Sequence, residues 1–265
     1  MSGFKNPFAL KDGSITTISD ALLDSDSSNC DYLCPSCSEK LKLRSGEINS
    51  CHFSHSDILI CSRLRSYMSG LNYFIKDFLE NEPFFVIPKL ECFYVLKPNR
   101  KFDENSFGKE IFFTSQNESY KYSKERSILI SNPIKISFDK IEIEYFYGFP
   151  EKVIAYYHNK KLAFVAVPPA DIISKTFKMA GCKDCSTIGV NFPTSDFFST
   201  ATKAQILAYL NNNPDAFFWL SNNNETCKAE ALQKINADNN YYQSKVNQRN
   251  FSRRFQSNTK YKRYR

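Results

Sequence analysis

The run Cys34-Pro35-Ser36-Cys37 is followed along the chain by Cys51-His52-Phe53-Ser54-His55, and these two stretches decide how the N-terminal part folds. Two cysteines separated by two residues can grip one metal ion from a tight turn. His52 and His55 can complete the tetrahedron of nitrogen and sulfur ligands that zinc prefers. We therefore predict a structural Zn²⁺ ion held by Cys34, Cys37, His52 and His55.

The ligand set has alternatives, because three more cysteines lie nearby. They are Cys30, Cys51 and Cys61. Without a metal, the cysteines would be buried thiols and the histidines surface residues, but two of the three histidines of the chain fall in this short region. A second CxxC pair, Cys182 and Cys185, has no partner pair, so we interpret it as a helix-ending turn with incidental thiols.

Length and hydropathy narrow the class of protein. The 265 residues suffice for one large domain or two modest ones with a buried core. No apolar run is long enough to cross a bilayer, and the first residues lack the pattern of a signal peptide. We therefore expect a cytoplasmic protein without a membrane partner, in which nine reduced cysteines favour metal binding over disulfides.

Local patterns predict an α/β (α+β) architecture. Residues 8–16 are typical of a hairpin around an Asp-Gly turn, and apolar steps of three and four over 64–79 predict a helix. Residues 84–167 alternate β-rich runs with polar loops. Later elements are predicted at 171–180 (helix), 187–191 (strand) and 202–210 (helix). We expect a mixed sheet flanked by helices, behind a small β-rich zinc-binding module that has little core of its own.

The net charge of +7 is concentrated at the C-terminus. Residues 245–265 carry eight cations and no acid, so the other 244 residues sum to 7 − 8 = −1. Beyond residue 222 the composition turns polar, and we expect a short helix near 228–236 followed by disorder. The predicted division is a zinc-binding module (1–60), an α/β domain (61–225) and a basic, disordered tail (226–265).

The tail alternates cations with aromatic residues, which suits nucleic acid. Cations neutralise phosphates and release counterions, while aromatic rings stack on exposed bases. The candidate contacts are Arg249, Arg253, Arg254, Phe255, Lys260, Tyr261, Lys262, Arg263 and Arg265. The alternatives are a solvated tail, or one that binds an acidic protein partner. The pattern does not distinguish DNA from RNA.

The order of the N-terminal motifs resembles the CoiA-like family of competence proteins. An Ala-Leu-x-x-Gly stretch precedes Cys34-Pro35-Ser36-Cys37, then comes His52-Phe53-Ser54-His55, and then a cysteine leads into a helix. The resemblance implies a zinc-binding module joined to a restriction-endonuclease-like core of the PD-(D/E)XK type. Lys76 occupies the position of a helical lysine in such proteins, and Asn72 stands where a histidine is usual.

The catalytic motif that the resemblance implies is degenerate in this chain. Such nucleases need an Asp at the start of one strand and Glu-x-Lys on the next, because the acids hold magnesium and the third residue orients water. The Asp position falls on Lys152, or on Glu151 after a shift of one residue. The Glu-x-Lys position falls on Val165-Ala166-Val167. Since Val165 and Val167 cannot bind a metal ion, we expect no catalytic residues at these positions.

Acids elsewhere offer an alternative site. Glu142 and Glu144 are two residues apart and hence lie on one face of a strand, and Glu91 and Asp139 are candidates to approach them. Three hypotheses follow: an inactive nuclease-like pseudoenzyme that binds nucleic acid, an active Mg²⁺-dependent DNA or RNA nuclease with displaced acids, and an adaptor that docks a protein in a phage, plasmid or defence assembly. The missing acids and the basic tail favour the first.

Overall fold

The structure of the protein is a computed structural model, which describes residues 5–24, 30–45, 51–55, 61–95, 97, 100–107, 109–113, 125–146, 149–169, 171 and 184–261. The chain divides into a first unit, Met1–Pro88 with Pro133–Ser221, and a second unit, Lys89–Asn132 with Asn222–Arg265. This partition differs from the predicted division at residues 60 and 225, because a long internal segment and the C-terminal helix share one unit.

The N-terminal module of the first unit is a five-stranded antiparallel sheet. Its strands, in the spatial order β2-β1-β3-β4-β5, are β1 (Phe8–Lys11), β2 (Ser14–Thr17), β3 (Tyr32–Leu33), β4 (Lys40–Arg44) and β5 (His52–His55). The hairpin predicted around Asp12 and Gly13 is confirmed. Both turn residues have a positive φ, which glycine adopts without strain and which aspartate tolerates better than most residues. Thr17 then caps the short helix α1 (Ile18–Leu23).

The helix α2 (Arg63–Asn81) connects this module to the rest of the first unit. Its N-cap is Ser62, whose side chain accepts a hydrogen bond from Arg65 N at 3.2 Å. The structure confirms the helix predicted over 64–79. Close approach to β1 requires a glycine, because a Cβ atom added at Gly70 would lie 2.6 Å from Cδ2 of Phe8.

A mixed sheet forms the body of the first unit. Its strands, in spatial order, are β11 (Lys140–Phe146), β12 (Phe149–Tyr157), β13 (Lys160–Val167), β14 (Ser186–Asn191) and β15 (Phe217–Ser221). The pair β13 and β14 is parallel, and the other pairs are antiparallel. Because α2 packs against β11, β12 and β13, the mixed sheet has the helical flank that the sequence predicts.

Shorter elements complete the first unit. They are β6 (Phe85–Ile87), β10 (Ile134–Ile136), α3 (Ser195–Phe198), α4 (Lys203–Asn212) and a 3₁₀ turn at Pro214–Ala216. The strands β6 and β10 pair with each other antiparallel. The helix predicted over 171–180 lies outside the described residues, apart from Asp171. The predicted α/β fold class with a β-rich N-terminal module is confirmed.

The second unit contains a three-stranded antiparallel sheet and one long helix. The strands, in the order β8-β7-β9, are β7 (Leu90–Val95), β8 (Ile111–Phe112) and β9 (Glu125–Ser131), and the helix is α5 (Glu225–Tyr261). The disorder predicted after a short helix near 228–236 is wrong, because helix continues to residue 261. None of the described helices is long and apolar enough to cross a membrane.

A sparse buried stripe explains why α5 was hard to predict. Ala231, Ile235 and Asn239 recur every four residues and are buried, although one of them is polar. Asn236 adds a clamp on the backbone of Phe102, since its Oδ1 accepts from Phe102 N at 2.9 Å and its Nδ2 donates to Phe102 O at 3.0 Å. Polar residues therefore make contacts that apolar periodicity does not reveal.

Candidate metal centre

Four side chains converge in the N-terminal module: Cys34, Cys37, His55 and Cys61. Their ligand atoms all lie within 4.8 Å of one another, with 3.3 Å between Cys37 Sγ and His55 Nε2 and 4.0 Å between the sulfurs of Cys34 and Cys61. A tetrahedral zinc ion needs ligand atoms about 3.5–3.8 Å apart. Since all three cysteines are free thiols, the donor set fits a metal ion such as zinc.

A turn between β3 and β4 positions two of the ligands. Ser38 N donates to Cys34 O at 3.0 Å, and Cys34 N donates to Glu39 O at 2.8 Å, so the backbone closes tightly. Ser38 accommodates the turn with a φ of 60°. In addition, Ser36 N donates to Cys34 Sγ at 3.4 Å. The turn brings Cys34 and Cys37 to the same side, as their spacing predicts.

His55 reaches the centre from the end of β5, whereas His52 does not. The two histidines are three residues apart on one strand, and side chains at an odd separation point to opposite faces. His52 pairs with Arg44 across β4 and β5, and among the described residues it lies outside the converging group. The expectation that both histidines close one site does not fit the strand geometry.

Cys61 occupies the fourth position, which the sequence left open among three cysteines. It directly precedes Ser62, the N-cap of α2, so the start of this helix fixes the position of its backbone. Cys30 and Cys51 pack against the core of the same module, but in the described part of the chain they do not join the group. The ligand set therefore comes from a turn, a strand end and a helix start.

Burial shifts the pKa values of Cys37, Cys61 and His55. It raises the pKa of the Cys37 thiol to about 12 and also raises the pKa of Cys61. Burial lowers the pKa of His55, which keeps its imidazole in the neutral form that binds metals. Metal binding must consequently displace the protons of Cys37 and Cys61.

We expect the affinity for Zn²⁺ to fall as the pH is lowered. Each thiol proton that the metal displaces weakens binding about tenfold for each pH unit, so three cysteine ligands should weaken it up to about a thousandfold, measured by competition with a chelator between about pH 6.5 and about pH 7.5. Cys37→Ser should reduce this slope. The matched control is Cys92→Ser, a buried thiol of the second unit, which should keep it. An affinity that does not change with pH would contradict ligation by thiols.

Ser66 supports the centre from the first turns of α2. Its Oγ lies 3.2 Å from Cys34 Sγ, and Asn6 Nδ2 donates to the same Oγ at 2.7 Å. Because Oγ accepts from Asn6, its own proton is available for the sulfur of Cys34. Both Asn6 and Ser66 are buried. Sequence reasoning missed them, since the contacts join residues that are far apart along the chain and follow no motif.

Replacement of Ser66 by alanine is expected to lower the affinity for Zn²⁺ about tenfold, because a thiolate loses a hydrogen-bond donor in a buried site. Competition with a chelator measures the change. The control is Ser69→Ala, another buried serine of α2 outside the converging group, which should keep the affinity within about twofold. Equal affinities of the Ser66→Ala and wild-type proteins would exclude a supporting role for Ser66.

The positions expected for nuclease catalysis lie on β12 and β13. Lys152 Nζ forms a salt bridge with Glu144 Oε1 at 2.9 Å, directly across β11 and β12. Glu151 is exposed, and the valines at 165 and 167 are half-buried. The lysine is therefore paired with one of the two acids proposed as substitutes for the missing motif.

Asn72 of α2 joins the backbones of these two strands. Its Nδ2 donates to Glu151 O at 2.9 Å, and its Oδ1 accepts from Ala166 N at 3.3 Å. The side chain is buried. A residue at the position where the resemblance expects a histidine thus makes structural hydrogen bonds between β12 and β13.

The substitute acids have other partners as well. Glu142 contacts Lys140 Nζ at 2.5 Å and accepts from the Tyr156 hydroxyl at 2.5 Å, and these contacts, with Lys140 first, lower the pKa of Glu142. Asp139 accepts from His158 N at 3.0 Å. Within the described residues, no group of three or more carboxylates, thiols or imidazoles converges except the Cys₃His centre.

The remaining predicted positions are only partly described. Arg249 is exposed on α5, and residues 253, 254, 255, 260 and 261 belong to the helical backbone of α5. Lys262, Arg263 and Arg265 lie outside the described residues, as does Cys182. Cys185 is buried against Ile154 and Ala163.

Comparison with known families supports the resemblance seen in the N-terminal motifs. Residues 15–63 match the family model described as "Competence protein CoiA, N-terminal domain". The matched segment contains all four residues of the Cys₃His centre. Comparisons with curated proteins and with solved structures gave no match.

Proposed function

We propose that this protein binds nucleic acid through the C-terminal half of α5 and the basic residues after it, and that its nuclease-like body is a pseudoenzyme. The observation that carries the proposal is the separation of charge along α5. In the first half, Lys228 and Lys234 pair with Glu225 and Glu230 at 2.8 and 2.7 Å. After Asp238 the sequence contains no acid, and eight cations follow.

A row of cations with no acid between them in the sequence suits a polyanion. Lys245 and Arg249 are exposed, and each contact with a phosphate would release counterions. The same positions also suit an acidic protein, but we favour nucleic acid, because the resemblance of the N-terminal motifs to the CoiA-like family implies a nuclease-like body. DNA and RNA remain equal candidates in this proposal.

The inactive body is supported by the contacts at the expected catalytic positions. Strands β12 and β13 form a hairpin, and α2 packs against it. Valines replace the metal-binding acids, Lys152 is paired with Glu144, and Asn72 ties the two strands together. Among the described residues, no group of three or more acids, thiols or imidazoles converges beside this hairpin, so a magnesium ion would lack the set of oxygen ligands that it needs.

Labelled DNA and RNA incubated with the purified chain and Mg²⁺ or Mn²⁺ should be bound but not cut. A mobility-shift gel run beside a denaturing gel separates binding from cleavage. Cleavage that disappears in Glu142→Ala or Glu151→Ala would establish an active nuclease with displaced acids. Cleavage that is equally strong in the wild type and in both variants, all purified in the same way, would indicate a contaminating nuclease.

A further inference from the structure

Two adjacent tyrosines lie where the buried stripe of α5 ends. Asn239 is the last buried residue of the helix among those whose side chains are described, and Tyr241 and Tyr242 follow with 58% and 37% of their surface exposed. More than half of the Tyr241 surface is exposed, whereas Tyr242 is partly covered by Arg126 of β9. Tyrosine rings that are partly exposed in this way are enriched at binding surfaces.

A cation lies over each of the two rings. Lys245 Nζ is 4.7 Å from the ring centroid of Tyr241, and the guanidinium carbon of Arg126 is 5.5 Å from that of Tyr242. Two hydrogen bonds fix Arg126, since its Nη1 donates to both carboxylate oxygens of Asp238 at 2.9 and 2.7 Å. The Tyr94 hydroxyl donates to the same carboxylate. The cations hold the rings in place and leave part of each ring surface to solvent.

We propose that Tyr241 and Tyr242 stack on unpaired bases, so that the ligand of α5 is single-stranded nucleic acid. This inference rests on the proposed function and names its substrate class. A ring can stack only on a base whose face is accessible, and the bases of a duplex cover each other's faces. The cation over each ring adds a positive charge beside the stacking surface, and the preference for a single strand follows from its accessible base faces.

The cations that follow the tyrosines suit the same strand. Lys245 and Arg249 lie four and eight residues after Tyr241, which places them on one side of the helix at steps of about 6 Å along its axis. Both are exposed. A base on Tyr241 and phosphates on Lys245 and Arg249 would therefore be contacted by one strip of α5, and Tyr242 lies about 100° around the helix from that strip.

Fluorescence anisotropy with the full chain tests this inference. The probes are a labelled single strand of about twenty nucleotides and the duplex of the same sequence, at about 150 mM salt. The wild-type chain should bind the single strand at least about tenfold more tightly than the duplex. The double variant Tyr241→Ala/Tyr242→Ala should lose about tenfold to a hundredfold in affinity for the strand, while its affinity for the duplex stays within about twofold.

Matched variants separate stacking from folding. Tyr145→Ala removes another exposed tyrosine, in the first unit, and should not alter either affinity. Tyr241→Phe/Tyr242→Phe keeps both rings and should retain binding of the strand. Equal affinity of the wild type for strand and duplex, or an unchanged strand affinity of the alanine variant, would overturn the stacking inference and leave the proposed function standing. Failure to bind either probe would overturn both.

Discussion

Chelation of the metal is expected to lower the free energy of unfolding of the first unit by about 5 kcal/mol or more, because a structural zinc ion supplies much of the folding energy of a small module. The core of the N-terminal module is small; its buried side chains include Ala9, Ile18, Tyr32, Leu41 and Phe53. A loss of this size should lower the melting temperature by about 10–20 °C.

The effect should extend beyond the N-terminal module, because α2 connects it to the mixed sheet. Cys61 precedes the N-cap of α2, Ser66 contacts Cys34, and Asn72 holds β12 and β13. Loss of the ion would release the start of this helix. Hydrogen exchange should therefore show faster exchange in β12 and β13 as well as in β3 and β4.

Cys61→Ser should lower the melting temperature as much as the chelator does. In the control Cys92→Ser, the chelator should still lower the melting temperature by the same amount as in the wild type. Cys92 is also a buried thiol but belongs to the second unit. A chelated protein that melts at the same temperature as the metal-loaded protein would show that the centre is not structural.

Neutralisation of the basic C-terminal segment is expected to weaken nucleic-acid binding at least about a thousandfold at low salt. The variant replaces all eight cations of 245–265 by glutamine, which retains a high helix propensity. If six of them contact phosphates, wild-type affinity should also fall about a thousandfold between about 50 and about 200 mM salt. The variant should show almost no dependence on salt.

Lys228→Gln/Lys234→Gln is the matched control for this prediction. Both lysines belong to α5, but each is paired with a glutamate of the same helix. Their loss should change affinity less than about threefold, since they are already neutralised. If the variant without the eight cations bound nucleic acid as tightly as the wild type, the binding site would lie elsewhere in the chain. The basic segment would then be better explained as a docking site for another protein.

Local patterns predicted most of the fold. The Asp-Gly turn indicated the hairpin β1–β2, and the apolar steps over 64–79 located α2. The β-rich runs within 84–167 and the predicted strand at 187–191 cover β11 to β14, whereas β15 was not predicted. These signals arise from residues that are close along the chain, so they can be recognised in a single sequence. The continuation of α5 just past residue 236 was missed, because Asn239 packs there through its amide although it counts as polar in composition.

The metal centre was predictable in part for the same reason. The spacing of Cys34 and Cys37 is local, so the sequence identified both as ligands. The choice of the third and fourth ligands depended on the fold, which brings residues that are distant in sequence together. The spacing of His52 and His55 would place both on one face of a helix, but in β5 it places them on opposite faces. Cys61 joins the group through the start of α2, a tertiary contact that no spacing rule contains.

Metal content measured by mass spectrometry on purified variants tests the Cys₃His centre most directly. The wild type and His52→Ala should each carry about one zinc ion per chain, while His55→Ala and Cys61→Ser should carry less than about a tenth of that after dialysis against a weak chelator. A His52→Ala protein without zinc, or a Cys61→Ser protein that keeps it fully, would contradict the centre described for this chain.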